Sequence, residues 1–272
     1  MQSGGMSLLD LLIEVAFNVK KSVEKALKRP DAKEVKCIGA GGDATKKIDL
    51  IAEKTALRTL KKSGFKGVVI SEEAGYVKMG DEKYVILLDP LDGTTNAIKG
   101  IRFYAVSIAL AKEQRLSTVE SAVVLDLGGN NLYTAEKGSG AYLNFKPVKT
   151  SSVKKLEEAV LGVDLSGKVA VTTAERATKL CALTKHVRHL GAVALELCLI
   201  ACGALDAYVD FRNLIRPIDI AAGKLILEEA GGTVVDLNGR SLDAVVDVRN
   251  RLSFIACSTK ELCFEIFKAI GV

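Results

Sequence analysis

The chain has 272 residues, of which 49% are hydrophobic and 26% are charged, and a formal net charge of +5 at pH 7. This length allows one large domain or two moderate ones with a substantial core. Basic residues are interleaved with acids, which argues against nucleic-acid binding, and no apolar run suits a membrane span or a signal peptide. A cytoplasmic protein is expected, and the absence of tryptophan with many Lys and Glu residues hints at a heat-adapted source.

Two helices and a glycine loop are predicted near the start of the chain. Residues 1–6 are expected to be a disordered leader. Apolar residues recur at helical spacing from Ser7 to Arg29, which predicts a long amphipathic helix, and a second helix is predicted from Asp49 to Lys62. Between them, the loop Gly39–Asp43 needs turn geometry or a close backbone approach, and on its own it is a weak phosphate-binding signal.

The rest of the first half reads as consecutive strands joined by short turns, which predicts an antiparallel sheet. The polar segment Lys149–Lys155 is expected to separate a first α+β lobe, residues 7–150, from a second α/β lobe, residues 151–272. The predicted strands of the first lobe are Gly67–Ser71, Tyr84–Asp89, Ala105–Ala111, Val119–Asp126 and Leu132–Glu136. In the second lobe, strands near 159–163, 187–189, 207–209, 233–236 and 252–256 alternate with helices near 174–184, 192–202, 217–229 and 260–270.

The segment LDPLDGTTN at residues 88–96 carries the most chemical information. Asp89 should leave the sheet at the carboxyl end of a buried strand, where α/β proteins place their ligands. Asp92 follows three residues later, Gly93 lets backbone approach a ligand closely, and Thr94 and Thr95 suit the start of a helix whose free N–H groups bind anions. The segment therefore predicts a metal ion beside a phosphate.

Further acids follow strand-like runs elsewhere: Glu72 and Glu73 come after one strand, and Asp219 opens a late helix. Taken alone, the Glu72–Glu73 pair suits a solvated loop better than a metal site. With oxygen as the only ligand type, the set of acids favours Mg²⁺ or Mn²⁺. Two such ions roughly 3.5–4 Å apart polarise a phosphoryl group, stabilise the leaving oxygen and generate hydroxide. Hydrolysis of a phosphate ester uses all three effects.

The cysteines and histidines do not indicate a zinc site, because the six cysteines form no CxxC pair and the chain has only two histidines. Cys198 and Cys202 lie one helical turn apart in an apolar segment and are interpreted as reduced core residues. His186 and His189 flank an apolar strand without a nearby nucleophile signature, so structural roles are favoured. A metal-activated water is the better nucleophile.

Three segments, in this order and at this spacing, resemble the signature of the inositol monophosphatase family: SEE at 71–73, DPLDGTTN at 89–96 and PIDIAAG at 217–223. Leu91 stands where isoleucine is common. Residues 210–219 are similar to the archaeal branch that hydrolyses both inositol monophosphate and fructose 1,6-bisphosphate. The resemblance covers nearly the whole chain from about Leu8, and it implies a two-lobed, layered αβαβα sandwich.

The resemblance also implies the metal ligands. One Mg²⁺ would be held by Glu72, Asp89 and the Leu91 carbonyl. A second would be held by Asp89, Asp92 and Asp219. A third, looser ion is expected near Glu72, and Mn²⁺ is a possible substitute for Mg²⁺.

The same resemblance assigns catalytic and phosphate-binding roles. Thr94, polarised through Asp49, would help Glu72 to orient the attacking water. The backbone N–H groups of Gly93, Thr94 and Thr95 would bind the phosphate.

On the substrate side, the resemblance implies that Asp92, Gly191, Ala192 and Asp210 line the hydroxyl-binding wall of the pocket. Arg216 is a candidate for a second phosphate, since a guanidinium pairs with phosphate in a bidentate manner. A surface salt bridge is an equally open interpretation of Arg216. Within the glycine loop, Asp43 either contacts the third ion or belongs to a hinge.

The expected function is a Mg²⁺-dependent phosphomonoester hydrolase that acts on myo-inositol 1-phosphate, fructose 1,6-bisphosphate or both, as a homodimer. Two alternatives stay open. A 3′-phosphoadenosine 5′-phosphate phosphatase would need an adenine pocket, for which 5% aromatic residues offer few stacking surfaces. A non-catalytic regulatory protein of the same fold would be favoured by loss of a ligand or of Thr94, and every one of these positions is present.

Overall fold

The computed structural model describes residues 7–42, 44–80, 83–167 and 170–271. The predicted leader and Asp43 lie outside these ranges. The helices are α1 Leu8–Leu27, α2 Lys47–Lys62, α3 Thr94–Lys99, α4 Val171–Leu183, α5 Val193–Ala201, α6 Pro217–Glu229 and α7 Lys260–Ile270. The strands are β1 Val35–Ile38, β2 Ala44–Lys46, β3 Gly67–Ser71, β4 Gly75–Met79, β5 Val85–Asp92, β6 Ala105–Ala111, β7 Val119–Asp126, β8 Leu132–Glu136, β9 Ala141–Leu143, β10 Lys146–Val148, β11 Val160–Val163, β12 His186–Arg188, β13 Ala207–Ile215, β14 Thr233–Val235 and β15 Leu252–Cys257.

Eight strands of the first half form one sheet in the order β10-β9-β8-β7-β6-β5-β3-β4. Its neighbours pair antiparallel, as predicted, with one exception: β3 and β5 run parallel. The prediction was wrong at this point because it lacked β4. The chain reverses once into β4 on the outer side of β3 and reverses again before β5, so β5 re-enters the sheet in the direction of β3.

The second half forms a five-stranded sheet in the order β12-β11-β13-β15-β14. Strand β11 pairs parallel with both β12 and β13, whereas β15 pairs antiparallel with β13 and β14. The change of sheet falls between Val148 and Val160, around the polar segment that the sequence marks as a boundary. The division into two lobes at that segment stays a prediction.

The helices lie in layers between and outside the two sheets. Helices α1 and α2 cover one face of the eight-stranded sheet, α5 and α6 fill the space between the sheets, and α4 and α7 cover the outer face of the second sheet. Strand alternation makes this possible: along β6, Val106 and Ile108 face the α1 and α2 layer, whereas Ala105 and Ala109 face the α5 and α6 layer. The layered αβαβα architecture is confirmed.

Helix and strand positions largely follow the sequence prediction. Strands β3, β6, β7 and β8 and helices α6 and α7 have the predicted bounds. The β1–β2 hairpin, β4, and the β9–β10 pair were not predicted. Cys198 is buried in the central layer and takes part in no disulfide, as expected, while Cys202 is half-buried. Among the described helices, none is both long and apolar enough to cross a membrane.

Candidate active site

The site begins where two neighbouring parallel strands end. Glu72 follows the last residue of β3, and its N–H donates to the Leu88 carbonyl of β5 at 3.4 Å. Asp89 lies near the carboxyl end of β5 and is 2% exposed. Because parallel strands present their carboxyl ends at the same edge of a sheet, Glu72 and Asp89 face the same pocket.

The segment after Asp89 is shaped by a bulge and a glycine. Between Asp89 and Asp92, strand β5 contains one residue more than its partner β6, which turns the chain out of the sheet. Gly93 then adopts a φ of 81°, and a Cβ at this position would lie 3.0 Å from the Phe103 carbonyl and from the Ala192 Cβ. Both the dihedral angle and the lack of space require glycine here.

The second half of the chain supplies the opposite wall. Asp219 lies in the first turn of α6, where its carboxylate accepts the Arg216 backbone N–H at 2.9 Å. At the start of α5, the Ala194 N–H donates to Asp92 at 2.8 Å. Asn96 donates to the Leu190 carbonyl at 2.7 Å. The hydrogen bonds of Asp92 and Asn96 join the two halves directly across the site.

The resulting pocket is small, with a volume of about 150 Å³. It brings together most of the residues predicted from the sequence. The lining residues are Glu72, Asp89, Leu91, Asp92, Gly93, Thr94, Asp164, Gly191, Val193, Ile215, Arg216 and Asp219. Thr95 belongs to the same first turn of α3 but is not among them.

Arg216 lies inside the acidic cluster. Its guanidinium contacts Glu72 at 2.5 Å and Asp219 at 3.0 Å, and its side chain is 12% exposed. The surface salt bridge considered from the sequence is therefore wrong, because this ion pair lines the pocket. Binding of a second phosphate by Arg216 stays a prediction.

Burial and repulsion between the carboxylates raise their pKa values. Burial, together with the charges of Asp219 and Glu73, raises the pKa of Glu72 to about 7, although Arg216 opposes the shift. Burial and the charge of Asp219 raise the pKa of Asp92 to about 8. The pKa of Asp89 is raised for the same reasons. The single positive charge of the Arg216 guanidinium does not offset the negative charge of the neighbouring carboxylates. Binding of further cations would therefore stabilise their ionised forms.

The raised pKa values predict how stability depends on pH when divalent ions are chelated. The folded chain keeps the protons of Glu72 and Asp92 up to about pH 7 and 8, whereas their ordinary values are 4.5 and 3.8. The free energy of unfolding is therefore expected to fall as the pH rises from about 4 to about 8. Thermal melts in EDTA at pH 5, 6, 7 and 8 measure this, and a melting temperature that rises across the series would contradict it.

Thr94 connects the pocket to helix α2. Its hydroxyl lies 2.8 Å from Asp49 Oδ1 and 3.0 Å from the Leu91 carbonyl oxygen, so both are acceptors for its single proton. Asp49 is buried, and its other carboxylate oxygen accepts the Lys46 N–H at 2.8 Å. With the hydroxyl proton directed away, the Thr94 oxygen presents its lone pairs to the pocket.

The donor set suits a divalent cation in composition. Its ligands are carboxylate oxygens around a small pocket, and a cation would relieve their repulsion. The arrangement is not a preformed coordination shell, since no three acidic, histidine or cysteine side chains among the described residues are placed to hold a metal ion. The Arg216 guanidinium lies between Glu72 and Asp219, two of the predicted ligands.

The substrate wall differs from the prediction at two positions. Gly191 lines the pocket, but Ala192 is buried beneath it against Gly93. Asp210 is fully buried and accepts two hydrogen bonds from the Arg212 guanidinium, at 3.0 and 2.5 Å. Asp210 therefore does not line the pocket, because its buried carboxylate is paired with Arg212.

Asp164 lines the pocket and was missed by the sequence analysis. It follows β11 as Glu72 follows β3, so an acid after a predicted strand was the available signal. Its carboxylate contacts Arg212 at 2.8 Å and His189 Nε2 at 2.9 Å. Although burial raises the pKa of Asp164, hydrogen bonds from Ser166 and the charges of Arg212 and His189 hold it below its usual value. Asp164 is thus an ionised carboxylate in the lining of the pocket.

Comparison with known proteins identifies relatives of this site and fold. The chain is 38% identical over 270 residues to a fructose-1,6-bisphosphatase/inositol-1-monophosphatase of Methanothermobacter thermautotrophicus, covering 96% of this chain and 95% of that protein. It is 34% identical to a bifunctional NADP phosphatase/NAD kinase of Methanococcus maripaludis, covering 94% of this chain and 48% of that protein.

Solved structures with the same fold include relatives of the same kind. A crystal structure of an inositol monophosphatase-fructose 1,6-bisphosphatase superposes with a TM-score of 0.86 at 30% identity, covering 97% of this chain and all of that chain. A Pyrococcus horikoshii protein with similarities to inositol-1 monophosphatase gives a TM-score of 0.82 at 34% identity, covering 95% and 96%. The model of the inositol monophosphatase family matches residues 6–270. The chain therefore belongs to the inositol monophosphatase family.

Proposed function

We propose that this protein is a Mg²⁺-dependent phosphomonoester hydrolase that acts on sugar phosphates, namely myo-inositol 1-phosphate, fructose 1,6-bisphosphate or both. The observation that carries the proposal is the convergence of acids from both halves of the chain on one pocket beside the Gly93–Thr94 turn. Family membership and relatives named for both activities support it.

Five residues of the pocket are proposed to hold the metal. Glu72, Asp89 and the Leu91 carbonyl would hold one cation. Asp89, Asp92 and Asp219 would hold another, and a third cation near Glu72 and substitution by Mn²⁺ stay part of the proposal. Bound Mg²⁺ supplies Lewis acidity toward a phosphoryl oxygen and lowers the pKa of a water molecule. Because Asp219 comes from the second half, cation binding would also hold the two halves together.

The chain's own residues orient the nucleophile and the phosphate. Thr94 directs its proton toward Asp49 and is left as an acceptor, so with Glu72 it would orient the attacking water. The N–H groups of Gly93, Thr94 and Thr95 would donate to the phosphate, since the first N–H groups of a helix have no partner within it.

Substitution of Thr94 tests the proposed water-orienting role. Thr94→Val keeps the shape of the side chain and removes the hydroxyl, so kcat is expected to fall by about 10²–10⁴-fold with little change in KM. Steady-state kinetics measure the effect. Thr95→Val is the matched control, because it changes an exposed side chain and keeps the backbone N–H that is proposed to bind the phosphate, so it should retain activity. Equal kcat values for Thr94→Val and the unsubstituted enzyme would contradict the role.

A phosphate-release assay on a small substrate panel tests the proposed activity. The panel contains myo-inositol 1-phosphate, fructose 1,6-bisphosphate, 3′-phosphoadenosine 5′-phosphate and NADP, each with Mg²⁺, with EDTA and after Mg²⁺ is restored. We expect one or both of the sugar phosphates to be hydrolysed fastest and EDTA to abolish turnover. NADP is included because a relative 34% identical to this chain is named a bifunctional NADP phosphatase/NAD kinase. No turnover on any substrate would favour the non-catalytic alternative.

The substrate wall carries a second part of the proposal. Gly191 and Asp164 would face the hydroxyl groups of the substrate, with Asp92 on the opposite side. Arg216 would bind the second phosphate of a bisphosphate once a cation replaces its contacts with the carboxylates. The homodimer, the cytoplasmic location and the heat-adapted source stay predictions, and light scattering after gel filtration would test the first.

A further inference from the structure

A second cavity lies far from the acidic pocket, in the outer layer between α1 and α2. Its volume is about 560 Å³, within the range of small-molecule sites. All of its lining residues are polar or charged, none is aromatic, and none lines the acidic pocket. They are Glu14, Asn18, Lys21, Ser22, Lys25, Thr55, Arg58, Thr59, Lys62 and Ser63, called here the basic groove.

Four cations converge on the basic groove, two from each helix. Lys21 and Lys25 extend from α1, and Arg58 and Lys62 extend from α2. Glu14 is the only acid among the lining residues. Across the described part of the chain, none of these four cations forms an ion pair or a side-chain hydrogen bond.

Helix stability does not account for the positions of these four cations. Lys21 with Lys25, and Arg58 with Lys62, are like-charge pairs at i,i+4 spacing, which weaken a helix. The macrodipole explains a cation in the last turn, which applies to Lys25 and Lys62 but not to Lys21 or Arg58, one turn earlier. All four cations are exposed, and none of the described ion pairs offsets their mutual repulsion.

We propose that the basic groove binds a small molecule that carries two or more phosphate groups. Cations on two facing helices provide at least two positions for phosphate, whereas the hydroxyl groups between them already donate to backbone carbonyls of their own helices. The lining holds no aromatic side chain, and its apolar surface comes from the aliphatic parts of polar side chains, so the phosphates are the recognised groups. This inference is independent of the proposed catalytic activity.

Calorimetric titration with inorganic tripolyphosphate in EDTA tests the proposal. Without divalent ions the acidic pocket repels anions, so binding reports on the groove. We expect saturable binding of one tripolyphosphate per chain, and inorganic phosphate should bind at least about tenfold more weakly. A nucleoside triphosphate should bind within about threefold of tripolyphosphate, because no ring in the groove can stack on a base.

A pair of matched double variants locates the binding. Lys21→Gln with Arg58→Gln removes one cation from each side of the groove and should weaken tripolyphosphate binding by at least about tenfold. Lys28→Gln with Lys61→Gln makes the same charge change at exposed positions of the same helical region outside the groove, and affinity should stay within about twofold. Thermal melts check that both variants fold.

Several results would overturn the proposal. These are the absence of saturable binding, an equal loss in both double variants, or a nucleoside triphosphate that binds far more tightly than tripolyphosphate. If an oligonucleotide bound more tightly than tripolyphosphate and lost this binding in the Lys21→Gln, Arg58→Gln variant, the proposal would also be overturned, because the ligand would then be a nucleic-acid backbone.

Discussion

Asp92→Asn is expected to lower kcat by at least about 10²–10³-fold without unfolding the protein. The amide oxygen of the substituted side chain can still accept the Ala194 N–H that Asp92 accepts at 2.8 Å, so the contact between the two halves is kept. The neutral amide is a weaker ligand for Mg²⁺ than the carboxylate that it replaces, because it carries no charge. In EDTA the melting temperature should stay level or rise, since the substitution puts a neutral amide in place of a carboxyl group whose ionisation is disfavoured by burial and by the neighbouring acids.

Phosphate-release kinetics and thermal melts measure the two parts of this prediction. Asp243→Asn is the matched control, because it makes the same chemical change at a carboxylate that pairs with Arg115 away from the pocket. Its kcat should match that of the unsubstituted enzyme. Full activity in Asp92→Asn would show that this carboxylate is not a metal ligand.

Arg216→Gln is expected to lower the melting temperature strongly in EDTA and to enlarge the stabilisation by Mg²⁺. The guanidinium is the cation that contacts Glu72 and Asp219, and all three side chains are largely buried. Removing one partner of such a pair costs about 3–5 kcal/mol. At about 2–4 °C per kcal/mol for a chain of this size, the expected loss is on the order of 10 °C at neutral pH.

Mg²⁺ should restore more stability to Arg216→Gln than to the unsubstituted protein, because the cation no longer competes with a guanidinium for the same carboxylates. Melting temperatures with and without Mg²⁺ at pH 7.5 give both differences. Arg240→Gln, at an exposed position, serves as the control. If Arg216→Gln changed neither the melting temperature in EDTA nor the stabilisation by Mg²⁺, the proposed competition between Mg²⁺ and the Arg216 guanidinium would be wrong.

The parts of the fold that sequence patterns predicted are those in which the signal is local. Strands such as β6 and β7 are largely apolar segments. Helix α6 begins with Pro217, and α7 is bounded by Thr259 and Gly271, which are typical capping residues. The β1–β2 hairpin escaped prediction because β1 is exposed along its whole length and shows no alternation. The parallel pairing of β3 and β5 depended on a strand that was itself not predicted.

In the candidate site, too, some features were predictable from local sequence and others depend on contacts formed only in the folded chain. Gly93 was singled out because a glycine directly after the two acids permits a close backbone approach, and the structure shows both a positive φ and no room for a Cβ at this position. The positions of Asp210 and Arg216 were not, since each depends on a pairing between charged groups that only the folded chain brings together. Asp164 was predictable from its place after a strand, and its link to His189 and Arg212 was not.

Crystals grown with Mn²⁺ and examined by anomalous diffraction test the central claim most directly. Anomalous peaks are expected in the acidic pocket, with Asp89 contacting more than one ion and Asp219 completing the site from the second half of the chain. The Arg216 guanidinium should then have moved away from at least one of its carboxylate partners. An acidic pocket free of anomalous density at saturating Mn²⁺, with Arg216 still between Glu72 and Asp219, would contradict the claim.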